Sequence, residues 1–140
     1  MAVESKAEAT WEGDLMGGHG SVRAGSGAFP EQALTWRARA ETRESGTSPE
    51  ELIGAAHAGC FSMALSFALA NAGHAPERLD TSARVGFQGG VGITGIHLSV
   101  RGRVPGIDQA AFQEAAEGAK ANCPVSKALS VPITLDATLE

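Results

Sequence analysis

The chemistry open to this sequence begins with two cysteines, Cys60 and Cys123, which lie 63 residues apart. Cys60 sits midway along the apolar run PEELIGAAHAGCFSMALSFALANAG, with His57 three residues before it and Glu50 and Glu51 at its head. A thiol in a buried helix is ordinarily a small hydrophobe. Nucleophilic use requires the thiolate, and a mid-helix position does not supply it, because the helix dipole acts only over its first turn. At about 1.5 Å of rise per residue, Cys60 is about 15 Å along the axis from Glu50. A cation from another element must therefore hold the thiolate, and arginine suits the task because it stays charged when partly buried. Arg37 and Arg39 in TWRARAET are the candidates.

Three uses of Cys60 follow from its neighbours. His57 and Cys60, at i and i+3, share a helix face and form a possible Cys–His pair for acyl transfer, although no Asn or Asp is placed to orient the imidazole. Alternatively, one thiol attacks an O–O bond and the second condenses with the resulting sulfenic acid. In the third reading both are inert core residues and the protein is a non-enzymatic binding or stress-protective dimer. Cys123 precedes Pro124 at the head of a further turn, where a thiol gains electropositive help. Of the two acids, Glu51 is explained by a capping box with Ser48, so Glu50 is the freer to pair with an arginine. A metal site is not expected: C-x-x-C and H-E-x-x-H are both missing, and His19, His57, His74 and His97 are scattered.

The elements that must carry these groups read as an α+β fold within one domain, residues 1–140. AEATWEG and GSVRAG read as strands, and ALTWRARAET alternates, with Leu34, Trp36, Ala38 and Ala40 on one face and Arg37, Arg39, Glu41 and Arg43 on the other. SGTSPEEL opens a long helix, with Ser48 as N-cap and Pro49 at its first position; Gly73 stops it after about Asn71. That helix is apolar almost all round and so must be enclosed by other elements or by a partner chain. Its length suggests a membrane span, but a core helix in water is the better reading of a run interrupted by His57 and serines. RLDTSARVGFQ and GITGIHLSVRGRV read as two strands. A second helix follows Asp108, with Ile107, Ala111, Phe112, Ala115 and Ala119 as its inner stripe, then a helical turn at Pro124 and a closing strand, PITLDATL.

Composition narrows the partners. The net charge is -5 and 19% of residues are charged, so a basic surface for nucleic acid or anionic lipid is not expected. The opening MAVESKAEATWEGD does not read as an export signal, which points to the cytoplasm and to reduced thiols.

Taken together, WEGD, GTSPEELIGAAHAGCFSMALS, VPGID, AKANCPVSKAL and ITLDATL resemble the osmotically inducible protein C (OsmC) branch of the OsmC/Ohr family, over nearly the whole chain. The resemblance implies an intertwined homodimer whose long central helices are enclosed by antiparallel β-sheets. It implies a thiol-dependent peroxidase acting on organic hydroperoxides, with neither metal nor organic cofactor, in oxidative and osmotic stress defence. It assigns attack on the peroxide to Cys60 and resolution, as an intramolecular disulfide, to Cys123. Arg39 matches the family arginine and Glu50 the glutamate that holds it, with Arg37 as the substitute. A small thiol or dithiol would restore the reduced pair. An apolar lining would select alkyl hydroperoxides, with Leu52, Ile53, Phe61 and Met63 as candidates.

Overall fold

Strand alternation and turn chemistry shape the N-terminal part of the computed structural model, which describes residues 1–140. β1 (Ala7–Glu12), β2 (His19–Ala24) and β3 (Gln32–Leu34) form a three-stranded antiparallel sheet in that order. The expected third strand ends early. Thr35 accepts a hydrogen bond from Ala38 N–H at 3.1 Å on its Oγ1 and caps α1 (Trp36–Ala40), a single helical turn. Alternation over five residues does not exclude a helix, and the Thr cap with alanine and arginine behind it favours one. The change matters for the arginines. On a strand Arg37 and Arg39 would share a face; two residues apart on a helix of 3.6 residues per turn they point in nearly opposite directions.

α2 (Pro49–Asn71) begins directly after the buried Ser48, where the Pro and capping signals place it. It stops as expected: Gly73 takes φ +91°, a value unfavourable for any side chain, and His74 N–H reaches back to Leu69 C=O at 2.8 Å.

The chain divides into two compact units, residues 1–50 and 51–140. In the second, β4 (Arg78–Gln88) pairs antiparallel with β5 (Gly92–Arg103), and β5 pairs with β6 (Ile133–Leu139). β6 runs parallel to β5, so this sheet is mixed where the resemblance implied an antiparallel one. The parallel pairing requires a long crossover, and α3 (Gln109–Asn122) with α4 (Pro124–Ala128) provides it. Asp108 caps α3 as expected, accepting Ala111 N–H at 2.9 Å. The inner stripe is Phe112, Ala116, Ala119 and Cys123, at helical spacing; Ala111, expected inside, is exposed and Ala116 takes its place.

The core of this unit joins that stripe to Phe61, Leu65 and Leu69 of α2 and to Ile96, Leu98 and Val100 of β5. Packing is close enough that a Cβ on Gly102 would lie 2.5 Å from the ring of Phe112, so glycine is required there. α2 buries Gly54, His57, Phe61, Leu65 and Leu69 along one side and leaves Met63 and Phe67 open on the other, at 76% and 66% exposure. By length and hydropathy alone α2 also passes as a membrane-crossing helix.

Candidate active site

Two constellations emerge, one in each unit. In residues 51–140, α2 and the start of α4 bring Cys60 and Cys123 side by side, with both thiols free. Cys123 is fully buried and Cys60 partly so. Cys123 closes α3 and caps α4 at once: its N–H reaches Ala119 C=O at 2.9 Å, and its Sγ accepts Ser126 N–H at 3.4 Å. The backbone N–H of Val125 faces Cys60. The Pro after Cys123 separates the two helices, since it cannot donate to continue α3 and its fixed φ suits the first position of α4.

Burial pushes the Cys60 thiol up, the adjoining Cys123 pushes it further, and only the Val125 N–H works the other way. The first unit holds the guanidinium of interest. Arg39 Nε and Nη2 donate to Glu50 Oε1 and Oε2 at 3.0 and 2.8 Å, a fork on a carboxylate that is itself buried. Its hydrogen bonds to the Glu50 carboxylate raise Arg39 above the ordinary guanidinium value, so its charge is fixed. Arg37 instead pairs with Glu44 at 3.5 Å, both largely exposed. The guanidinium that Glu50 holds is thus that of Arg39. Arg43 donates to Ser48 Oγ at 2.7 Å. A cavity of about 260 Å³ opens beside Arg39, lined by Trp11, Leu15, Leu34, Thr35, Trp36 and Pro49. Of the expected lining residues, Phe61 fills the core and Met63 faces outward, so the two do not line one pocket.

His57 lies fully buried and does not serve Cys60. Its Nε2 meets Ser126 Oγ at 2.7 Å, and Ser126 Oγ meets Cys123 Sγ at 3.2 Å. Its Nδ1 has no hydrogen-bond partner within the protein. This geometry removes the alternative of a Cys–His pair, which i, i+3 spacing had left open. Ser126 was the residue that sequence patterns did not single out. Its signal was the three-residue offset from Cys123 in CPVS, which brings a helix-capping side chain onto the third helical residue.

Burial lowers the pKa of His57 below the ordinary 6.5, because it disfavours the imidazolium. The unfolded chain therefore binds more protons than the native one below that value. The stabilising contribution is full above 6.5 and declines as pH falls towards the depressed native value. Urea unfolding followed from neutral pH to about pH 5 is expected to show this decline in the wild type and a smaller one in His57→Leu. Equal declines would mean that the imidazole titrates freely.

Similarity now bears on what the thiol pair is. A sequence profile described as OsmC-like protein matches residues 42–137. Peroxiredoxin OsmC of Escherichia coli (strain K12) is 47% identical over 143 residues, covering 100% of this chain and 99% of that protein. The chain belongs to the OsmC family. The Organic hydroperoxide resistance protein of Xanthomonas axonopodis pv. citri (strain 306) is 33% identical over 100 residues, 67% of each chain. An OsmC-like protein from Mycoplasma pneumoniae superposes with a TM-score of 0.72 at 16% identity, covering 99% of both chains, which shows a shared fold. OhrB of Bacillus subtilis superposes at 0.67 with 22% identity, covering 96% of this chain and 98% of that one. The mixed α+β architecture is thus that of OsmC/Ohr structures.

Proposed function

We infer that this OsmC-family chain is a thiol-dependent peroxidase that reduces organic hydroperoxides to alcohols. The observation that carries the reading is the side-by-side placement of Cys60 and Cys123, 63 residues apart in sequence, in a chain with these relatives. The Cys60 thiolate attacks the distal peroxide oxygen; the O–O bond breaks, the alkoxide takes up the proton that the Cys60 thiol released on ionising and leaves as the alcohol, and Cys60 becomes a sulfenic acid. Cys123 displaces the sulfenic oxygen as water and forms the disulfide. Two thiol equivalents from a small thiol or dithiol reductant restore the pair.

Burial raises Cys60, so its ionisation calls for a cation. We assign that role to Arg39, oriented by Glu50, in the assembled enzyme. The apolar cavity beside Arg39 supports an alkyl or aryl hydroperoxide over strongly hydrated hydrogen peroxide, because it gains from burying hydrocarbon. The assembly we propose is a homodimer in which a second copy covers the Met63 and Phe67 side of α2, an apolar surface unsuited to water. The two compact units act as one OsmC-like domain, a reading supported by a family match that runs through residue 50. The proposed location is the cytoplasm, where the thiols are kept reduced.

Mass spectrometry of reduced protein after one equivalent of cumene hydroperoxide tests the proposal. A loss of two hydrogens mapped to a joined Cys60–Cys123 peptide is expected, with cumyl alcohol as product. Unchanged thiols and intact hydroperoxide would sink it and favour a non-enzymatic dimer.

A further inference from the structure

The peroxidase reading leaves His57 and Ser126 without a task, although both are buried beside the reacting sulfurs. An imidazole in the middle of an apolar helix costs free energy unless its polar atoms are used. Here one nitrogen is used. Nε2 meets Ser126 Oγ at 2.7 Å, and that oxygen meets Cys123 Sγ at 3.2 Å, while Ser126 N–H donates to the same sulfur at 3.4 Å.

Proton positions follow from counting donors. Burial keeps His57 neutral, so its ring carries one N–H. Nδ1 has no partner within the protein, and an orphaned buried N–H is less tolerable than an orphaned lone pair. The proton therefore sits on Nε2 and points at Ser126 Oγ. The serine hydroxyl, which accepts from His57, turns its own single proton to Cys123 Sγ. With Ser126 N–H and O–H both directed at it, Cys123 Sγ is an acceptor on the Ser126 side. Its own S–H is left to the other side, where the Cys60 side chain lies.

We propose that His57, acting through the Ser126 hydroxyl, sets the direction of the Cys123 thiol proton and so speeds closure of the disulfide. This rests on the assignment of Cys123 as the resolving thiol. In the closing step Cys123 Sγ attacks Cys60 Sγ, an S–S bond forms and the S–OH bond breaks. The Cys123 proton passes to the departing hydroxyl, which leaves as water. Growing charge on neither sulfur is left unsupported, because the two Ser126 donors stabilise Cys123 as it gives up its proton. Ser126 touches the reacting sulfur and is a catalytic residue of this half-reaction; His57 is a positioning residue. Without the imidazole N–H, the serine hydroxyl is free to rotate and accept the Cys123 proton, which turns the thiol away from Cys60.

The test is a rapid-quench single turnover of the full chain with one equivalent of cumene hydroperoxide. Dimedone traps the sulfenic acid, and mass spectrometry reads trapped and disulfide forms over time. In Ser126→Ala and His57→Leu the sulfenic acid is expected to persist about tenfold longer, the effect of one charge-assisted hydrogen bond on a barrier. His57→Gln, whose amide N–H replaces the Nε2 donor, is expected to recover closure to within about threefold of wild type. Leucine fills the site as well as glutamine does, so that recovery separates positioning from packing. Wild-type closure in His57→Leu, or a His57→Gln protein as slow as His57→Leu, overturns the proposal. A wild type that forms neither sulfenic acid nor disulfide overturns the peroxidase reading itself and the relay with it. That outcome is distinct from normal wild-type closure with unaffected variants.

Discussion

Cys60→Ser is expected to lower consumption of organic hydroperoxide by on the order of 10³-fold or more, the scale set by removing a nucleophile. A serine hydroxyl does not ionise near neutral pH, and nothing around position 60 acts as a base for it. His57, the only candidate three residues away, is turned to Ser126 at 2.7 Å. Cys123→Ser is expected to behave differently. Cys60 still has its sulfur, so the protein consumes about one equivalent and then accumulates sulfenic acid or its over-oxidised forms. The measurements are hydroperoxide remaining with excess dithiothreitol and intact mass after a single equivalent. Full turnover in Cys60→Ser would end the nucleophile assignment. A Cys123→Ser protein that accumulates neither sulfenic acid nor over-oxidised Cys60 after one equivalent would end the resolving one. The contrast between the two variants also separates a peroxidase from a hydrolase, for which Cys123 would be dispensable.

Arg39→Met should cost both activity and stability, for separable reasons. In the proposed site its guanidinium stabilises the Cys60 thiolate and the polarised peroxide, and losing such a group lowers kcat/KM by about 10² to 10³-fold. Its fork on Glu50, at 2.8 and 3.0 Å, also compensates a carboxylate that is only 4% exposed. Removing one partner of a buried pair costs several kcal/mol; discounted for the one third of the Arg39 side chain that water reaches, about 2 kcal/mol is expected. Glu50→Gln keeps an acceptor but loses the charge, so a loss of activity with a smaller loss of stability is expected. Arg39→Lys cannot make the fork and should recover charge without orientation. Arg37→Ala is the control: its pair with Glu44 is 3.5 Å long and exposed, so changes within about twofold are expected. Steady-state kinetics and urea unfolding read the two effects. An inactive Arg37→Ala beside an active Arg39→Met would reverse the assignment.

Which arginine is held was not legible from periodicity, because the segment 34–40 satisfies two; the family resemblance named Arg39, with Arg37 as substitute, and Arg39 is the one on Glu50. Alternating small and charged residues fit a strand, and only the Thr35 cap, a local hydrogen bond at 3.1 Å, tips the chain into a turn of helix. The same limit applies to the inner stripe of α3, where Ala111 and Ala116 have the same side chain and only packing decides which one enters the core. It applies to β6 as well, whose residues specify a strand but whose direction is set by the length and course of the α3–α4 crossover.

By itself the sequence determined whatever depends on near neighbours. The start of α2 at Pro49, its stop at Gly73, the Asp108 cap and the extents of β4 and β5 all follow from hydrogen bonds and sterics within a few residues. Family motifs added an expected role for each of the two thiols. Only the tertiary structure decided that Cys60 meets Cys123, that Glu50 holds Arg39 and not Arg37, and that His57 reaches Ser126, 69 residues away, and not Cys60. Local signals are additive along the chain and can be read in order. Pairings between distant residues depend on how whole elements pack, which no short stretch of residues encodes.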